Sequence, residues 1–399
     1  MRMKAAILRE QGRPRPYARS IALSIEEVDL LPPGPGELLI EVAAAGLCHS
    51  DLSAIEGIRP RPLPVIIGHE GAGIVREVGA GGSDLAPGDH VITVFAASCG
   101  TCRYCVNGRP NLCPAGNAAR AAGTLRAGTR RLFQDGKPIN HGSGLSLFAQ
   151  FAVIDRRSAV KIDQDIPLDD AAIFGCAVMT GAGAVINTAG LKAGEHIGIV
   201  GLGGVGMNAL FAAVSAGAGR IVAVDASAEK LALARQWGAT DTFLATDPDC
   251  AEQVREATGG GLDKVVEAAG AMKAVELAYA ITGHGGCLVC PACPTASSAS
   301  PICMPTSSAA SAKSAAATWA VASPNATSLA CSASTAAASS RSTASKVAIC
   351  RSRTSTPAST ASPMARSCAR YCGRTDKVPY PSIKVRTWSA ADAARASRS

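Results

Sequence analysis

Four cysteines stand close together at Cys99, Cys102, Cys105 and Cys113, in the run Cys99-Gly-Thr-Cys102-Arg-Tyr-Cys105 with the fourth eight residues on. Two Cys-x-x-Cys steps that share a thiol, plus one more thiolate, can wrap a tetrahedral zinc ion at Zn–S distances of about 2.3 Å. Such a site is closed, so it predicts a structural metal in a lobe over 95–115 and places the chemistry elsewhere. Disulfides or scattered core thiols are the other uses of these residues. Nothing near Met1 resembles a secretory leader, which favours a reducing compartment, the cytoplasm, and zinc over disulfides. A second group is spread along the chain: Cys48 in Gly46-Leu47-Cys48-His49-Ser50-Asp51, His69 with Glu70, and Cys176 after Gly175. Two thiolates and one imidazole leave a fourth coordination position open, the arrangement of a catalytic zinc. Taken singly, each is more often a core thiol or a satisfied polar histidine.

A third feature carries cofactor chemistry. Ile197-Gly198-Ile199-Val200 reads as a buried parallel strand running into Gly201-Leu202-Gly203-Gly204-Val205-Gly206 and an apolar helix to about Ala216. A second strand, Ile221 to Val224, ends in Asp225, 19 residues after Gly206. Strand, glycine turn, helix and acidic strand end together read as a dinucleotide site. Gly201, Gly203 and Gly206 allow the tight turn, close approach of a pyrophosphate to the helix N-terminus, and close helix packing. A carboxylate at Asp225 would accept from both adenosine ribose hydroxyls and repel a 2′-phosphate, which favours NAD over NADP. Thr242-Phe243-Leu244 and Lys264-Val265-Val266-Glu267 continue the βα pattern as strands.

The elements around these residues belong to a chain of 399 residues with 47% hydrophobic content, enough for two cores. An uncharged stretch, 197–219, holds seven glycines and reads as strand, turn and helix rather than a membrane span. The net charge of +8 would invite a nucleic-acid partner, but its distribution argues otherwise. Residues 291–399 carry 13 Lys/Arg against 2 Asp/Glu, so the rest of the chain is slightly acidic.

That last segment is about half Ala plus Ser, with one glycine (Gly373) and one leucine (Leu329), and shows no sustained periodicity. Such a composition offers too little large apolar surface to offset ordering entropy, so disorder or poorly packed helix is expected. A shifted reading frame is the simplest account. Pro291-Ala292-Cys293-Pro294 read one base back permits Ala-Gly-Leu-Pro, an ordinary strand end. Cys287, Cys290 and Cys293 imitate the spacing of the lobe, but no partner follows before Cys303, and they read partly as products of that shift.

Residues 3–290 resemble the zinc-dependent alcohol dehydrogenases of the medium-chain dehydrogenase family. The likeness rests on Met3-Lys4-Ala5-Ala6, Gly68-His69-Glu70 with the Gly-rich strand through Val78-Gly79, Pro87-Gly88-Asp89-His90-Val91, the four-cysteine lobe and the ligand set. The segment 123–151, with Gly136-Lys137-Pro138-Ile139-Asn140-His141, is similar to the longer-loop branch that holds liver-type and thiol-adduct formaldehyde dehydrogenases.

The resemblance implies an α/β fold. A GroES-like β-rich catalytic domain would span 1–178, a Rossmann domain with a doubly wound parallel sheet 179–290, and an atypical, disordered tail 291–399. It implies two zinc ions per chain and NAD: Cys48, His69 and Cys176 on the catalytic zinc, Cys99, Cys102, Cys105 and Cys113 on the structural one. Asp51 would orient the ligand histidine, Glu70 would lie behind the metal, and Ser50 would take the alcohol proton. Ser53 stands where liver-type enzymes end their proton relay with a histidine. His49 would lie over the cofactor pyrophosphate, Lys230 near the ribose, and Thr180 and Val205 beside the nicotinamide. The implied activity is reversible oxidation of an alcohol, with a thiol–formaldehyde adduct or an inactive zinc-binding remnant as alternatives. The partner is a small alcohol or aldehyde, with no nucleic acid or membrane. The family's homo-oligomer would need a late segment that is not recognisable here.

Overall fold

The structure, a computed structural model, describes residues 1–291 apart from Gly82 and Ala96. The tail from 292, with Cys293 and the shifted-frame reading, lies outside the described residues. The described chain divides into two units, the first through Cys176 and the second from Ala177.

The first unit is β-rich. The strands Arg2–Leu8, Ser24–Leu30, Leu132–Gln134, Lys137–His141 and Val65–Ile66 close into a small barrel. Alternate residues Met3, Ala5 and Ile7 turn inward and pack with Val28, Leu30, Ile66, Leu132 and Ile139, the period-2 burial of a strand with one wet face. A second sheet runs in the order Ala159–Ile162, His90–Thr93, Glu70–Val78, Glu37–Gly46, Phe151–Asp155. Its central antiparallel pair positions the chemistry. Gly46 pairs with Glu70, so Cys48, just past the end of one strand, and His69, just before the start of the other, emerge at the same end.

The second unit is a five-stranded parallel sheet in the order Asp241–Leu244, Arg220–Asp225, His196–Val200, Leu262–Glu267, Thr282–Val289. The helices Gly204–Ser215, Ala228–Gln236, Cys250–Thr258 and Met272–Ala280 connect it. Both faces are buried: Ile197, Ile199, Ile221 and Ala223 pack on one side, Val200, Val222, Val224 and Val265 on the other. This is why these strands are continuous apolar runs. The sheet grows outward to one side of His196–Val200 and then resumes on its other side. The carboxyl ends of His196–Val200 and Leu262–Glu267 therefore flank the crevice where such sheets bind ligands.

The imitation motif separates on this sheet. Cys287 packs toward one core and Cys290 lies buried in the other, so the Thr282–Val289 segment holds them on opposite faces and they do not converge. The helical run 168–188 is long and apolar enough to cross a membrane by length alone, yet 56% of its apolar window is buried within the protein.

Candidate functional site

In the first unit the side chains of Cys48, His69, Glu70 and Cys176 bring their donor atoms within 4.8 Å of one another. Cys48 caps the helix His49–Ile55, and Asp51 in its first turn accepts the Cys48 N–H through Oδ2 at 3.1 Å. The other oxygen, Oδ1, accepts from the Gly68 N–H at 3.3 Å and from His69 Nδ1 at 3.1 Å. One buried carboxylate thus ties the helix to the strand entrance and leaves Nε2 of His69 as the bare donor. The Ser50 hydroxyl lies within hydrogen-bond distance of that Nε2, at 3.2 Å, and the Phe95 ring meets the imidazole edge-on at 5.7 Å.

Two glycines make the room. A Cβ at Gly46 would come within 2.6 Å of Glu70 Oε2. A Cβ at Gly175 would overlap the Thr93 carbonyl, so only glycine lets the chain press against that strand and deliver Cys176, whose sulfur lies 4.0 Å from that of Cys48.

The electrostatics describe a site built around a cation. Hydrogen bonding to Cys176, then to His69 and its charge, pulls the Cys48 thiol down to about 3 against burial. The Cys48 thiolate and burial push Cys176 well above the usual thiol range. Burial lowers His69, but the Asp51 charge and hydrogen bond, with Cys48, outweigh it and raise the imidazole to about 10. Burial lifts Glu70 to about 7. Two thiolates and a carboxylate in one dry pocket repel, and protons fill the place a divalent ion would take. The donor set fits zinc: a tetrahedron of about 2.3 Å Zn–S bonds has S···S edges of about 3.8 Å, against the 4.0 Å between Cys48 and Cys176.

The four-cysteine lobe passes the same test. Cys99 and Cys105 sulfurs are 3.9 Å apart, Cys102 and Cys105 3.5 Å, and all four donors lie within 4.8 Å. These separations are far beyond a disulfide bond of about 2.05 Å. The Cys99 Sγ accepts the Cys102 N–H and the Cys113 Sγ accepts the Cys99 N–H, each at 3.3 Å. Backbone N–H groups of Thr101 and Cys102 draw Cys99 down to about 5, while burial and neighbouring thiols push Cys105 to about 12.

In the second unit Gly201 adopts φ +90°, and a Cβ there would approach the Ala269 nitrogen to 2.6 Å. A Cβ at Gly206 would overlap the Gly201 carbonyl, whereas the space beside Gly203, which caps the helix Gly204–Ser215, is open. Asp225 closes the turn: its Oδ2 accepts the Leu202 N–H at 2.6 Å and its Oδ1 the Ser227 N–H at 2.8 Å, with Lys230 Nζ at 3.8 Å. Thr180 is buried with its hydroxyl unpartnered among the described residues, and Val205 lies in the first turn of the helix. An orphaned hydroxyl and an open glycine cradle fit a dinucleotide. His49 is exposed, and Ser53 is turned inward, donating to the His49 carbonyl at 3.0 Å, so it offers no onward proton path.

Glu267 was not marked as a functional residue by sequence reasoning. It is fully buried at the end of its strand, and its Oε1 accepts the Ala269 and Gly270 N–H groups at 2.8 and 2.7 Å. It holds that loop against Gly201, and burial raises its carboxyl to about 6. An acid ending an apolar strand before Ala-Ala-Gly was the available signal.

The family model for the alcohol dehydrogenase GroES-like domain matches residues 34–164, and that for zinc-binding dehydrogenases matches 204–325. S-(hydroxymethyl)glutathione dehydrogenase of Synechocystis is 38% identical over 288 residues, 71% of this chain and 76% of that protein. The chain belongs to the zinc-dependent medium-chain alcohol dehydrogenase family. Among solved structures, this dehydrogenase is similar to an alcohol dehydrogenase zinc-binding domain protein of Burkholderia ambifaria (35% identity, TM-score 0.68, 74% of this chain and 78% of that one). It is also similar to benzyl alcohol dehydrogenase of Acinetobacter calcoaceticus (30% identity, TM-score 0.67, the same coverage).

Proposed function

We propose that this dehydrogenase oxidises a primary or secondary alcohol reversibly, with NAD as hydride acceptor, using a catalytic domain over 1–178 and a cofactor domain over 179–290. Cys48, His69 and Cys176 hold a catalytic zinc, and Cys99, Cys102, Cys105 and Cys113 a structural one. The observation that carries this reading is the convergence of two thiols, an imidazole and Glu70 within 4.8 Å beside the Ser50 hydroxyl. Bound zinc supplies Lewis-acid activation of a hydroxyl, and bound NAD an acceptor for hydride. The protein's own groups do the rest. Asp51 fixes the His69 ring, and Ser50, beside that ring, is the group proposed to take the proton leaving the alcohol. Water finishes the path to solvent, since Ser53 is committed to the helix backbone. Gly201, Gly203 and Gly206 admit the pyrophosphate, His49 is the basic residue proposed for the same group, Thr180 and Val205 flank the nicotinamide, and Asp225 with Lys230 receives the adenosine ribose. The thiol sites suit a reducing compartment, and we place the enzyme in the cytoplasm.

Relatives named S-(hydroxymethyl)glutathione dehydrogenase support a second reading, oxidation of a thiol–formaldehyde adduct. NADH formation with benzyl alcohol, compared with formaldehyde plus glutathione or another small thiol, separates the two. A soluble protein with two zinc ions and no turnover on either overturns both.

Asp225→Asn keeps an acceptor for only one of the Leu202 and Ser227 amides and removes the charge facing a 2′-phosphate. The ratio of kcat/KM for NAD to that for NADP is expected to fall about 10- to 100-fold, since a like-charge contact costs on the order of 1.4–3 kcal/mol. An unchanged ratio in initial-rate assays would remove Asp225 from the cofactor site.

A further inference from the structure

Two acids end the strands that lie on either side of the central strand His196–Val200. Asp225 ends Arg220–Asp225 on one side, and Glu267 ends Leu262–Glu267 on the other, opposite Val200 in the parallel register. Both bind backbone amides at the carboxyl end of the sheet. Asp225 accepts those of Leu202 and Ser227, and Glu267 accepts those of Ala269 and Gly270 through a single oxygen, Oε1, at 2.8 and 2.7 Å. The loop that Glu267 holds backs the glycine turn. The Ala268 N–H donates to the Val200 carbonyl at 2.7 Å. A Cβ on Gly201 would lie 2.6 Å from the Ala269 nitrogen, and one on Gly206 3.6 Å from the Ala268 Cβ. The nitrogen that presses on Gly201 is therefore one whose hydrogen Glu267 accepts.

An acid is an unfavourable choice for packing at this position. Glu267 is fully buried, and its second oxygen, Oε2, is buried with no hydrogen-bond partner among the described residues. An apolar side chain would fill the space without that penalty. What the carboxyl adds is the pair of bonds that shape the loop. The sheet order then says which part of the cofactor the loop serves. A dinucleotide whose pyrophosphate meets the glycine turn at the end of His196–Val200 has one neighbouring strand on each side. Its adenosine half lies toward Asp225, so the nicotinamide half passes over the end of Leu262–Glu267.

We infer that Glu267 is a positioning residue for the nicotinamide half of the cofactor: it fixes the loop 268–270 against Gly201, and the adenosine half is recognised without it. This rests on the proposed NAD site and adds to it a residue that acts through the backbone of its loop. Glu267→Ala removes the acceptor of both amides. Glu267→Leu does the same with little loss of volume, so it carries the comparison if the Ala variant fails to fold. Glu267→Gln keeps Oε1, whose lone pairs can accept both N–H groups.

The test is calorimetric titration of the zinc-loaded full chain with NADH, the whole cofactor, and with ADP, its adenosine half, in the wild type and the three variants. A loop that holds its native shape only a tenth of the time weakens binding about tenfold. The Ala and Leu variants should therefore lose about tenfold or more on NADH and stay within about twofold on ADP, and the Gln variant should recover most of the loss. In turnover, the KM for NAD should rise while kcat stays within about threefold. Hydrogen exchange should show the Ala269 and Gly270 amides losing protection in the Ala and Leu variants and keeping it in Gln. Unchanged NADH binding in the Ala and Leu variants, equal losses on NADH and ADP, or a Gln variant no better than Leu overturns the inference while the NAD site stands. A wild type that binds neither NADH nor ADP overturns the NAD site itself, and the inference with it.

Discussion

Cys48→Ala is expected to leave one zinc ion per chain instead of two and to lower kcat/KM by at least about 10³-fold. The several kcal/mol that a Lewis-acid metal contributes correspond to that range. Cys48 is the thiol with the greatest thiolate character of the set, and its sulfur faces Cys176 across the space the ion would fill. Removing it should cost more than the roughly 10–100-fold typical of a group that merely orients a ligand, such as Asp51. The same site predicts a pH dependence. Without metal, His69 titrates near 10 and Cys176 above its usual range, so both carry protons at pH 7. Zinc uptake must displace about two protons, and affinity therefore rises with pH and falls as acid is added, by about two log units per pH unit near neutrality. Competition with a chromophoric chelator from pH 6 to 8 measures the slope. Two zinc ions retained by Cys48→Ala, with full turnover, would refute the assignment.

Cys113→Ser is expected to act on stability rather than chemistry. The lobe has almost no core of its own. Its helices Arg103–Val106 and Pro114–Ala121 and the turn Pro110–Leu112 contain no buried residue, and Cys113 is the one cysteine of the four that is fully buried. A segment like this depends on its cross-link, and structural zinc contributes on the order of 10 kcal/mol in small metal-folded peptides. The variant should lose one zinc ion, drop in Tm by at least about 5 °C, and become open to protease cleavage between 99 and 113. Catalytic zinc should remain, because its ligands lie in a separate part of the unit. Metal analysis, a thermal melt and limited proteolysis check this; an unchanged Tm with two zinc ions would sink it.

Much of this protein could be read along the chain because its signals are local. The strand, glycine turn and helix around Gly201 lie within about twenty residues, and their dihedral and packing demands are met by neighbours in sequence. The expected helix end near Ala216 and strand end at Asp225 match the helix Gly204–Ser215 and the strand Arg220–Asp225. The lobe is legible for the same reason, since four thiols within fifteen residues have few ways to avoid meeting. Other residues escaped notice because their role depends on distant chain. Gly46 and Gly175 look like ordinary glycines until Glu70 and the Thr93 carbonyl are seen against them. Glu267 looks like a strand end until its two amide bonds place it behind Gly201. Cys287 and Cys290 imitate the spacing of the lobe, and on a β-strand residues three apart point to opposite faces.

The sequence alone determined the chemistry available: two sets of soft metal donors, a glycine turn opening a helix and an acid at the end of the next strand. These follow from residue type and short spacing, which side-chain chemistry and local backbone geometry suffice to interpret. The tertiary structure decided which donors meet. The antiparallel pairing of Gly46 with Glu70 brings Cys48 to His69, and the close contact at Gly175 brings Cys176 across 128 residues to within 4.0 Å of Cys48. Neither meeting is visible along the chain, because contacts between residues far apart in sequence are set by packing and not by spacing.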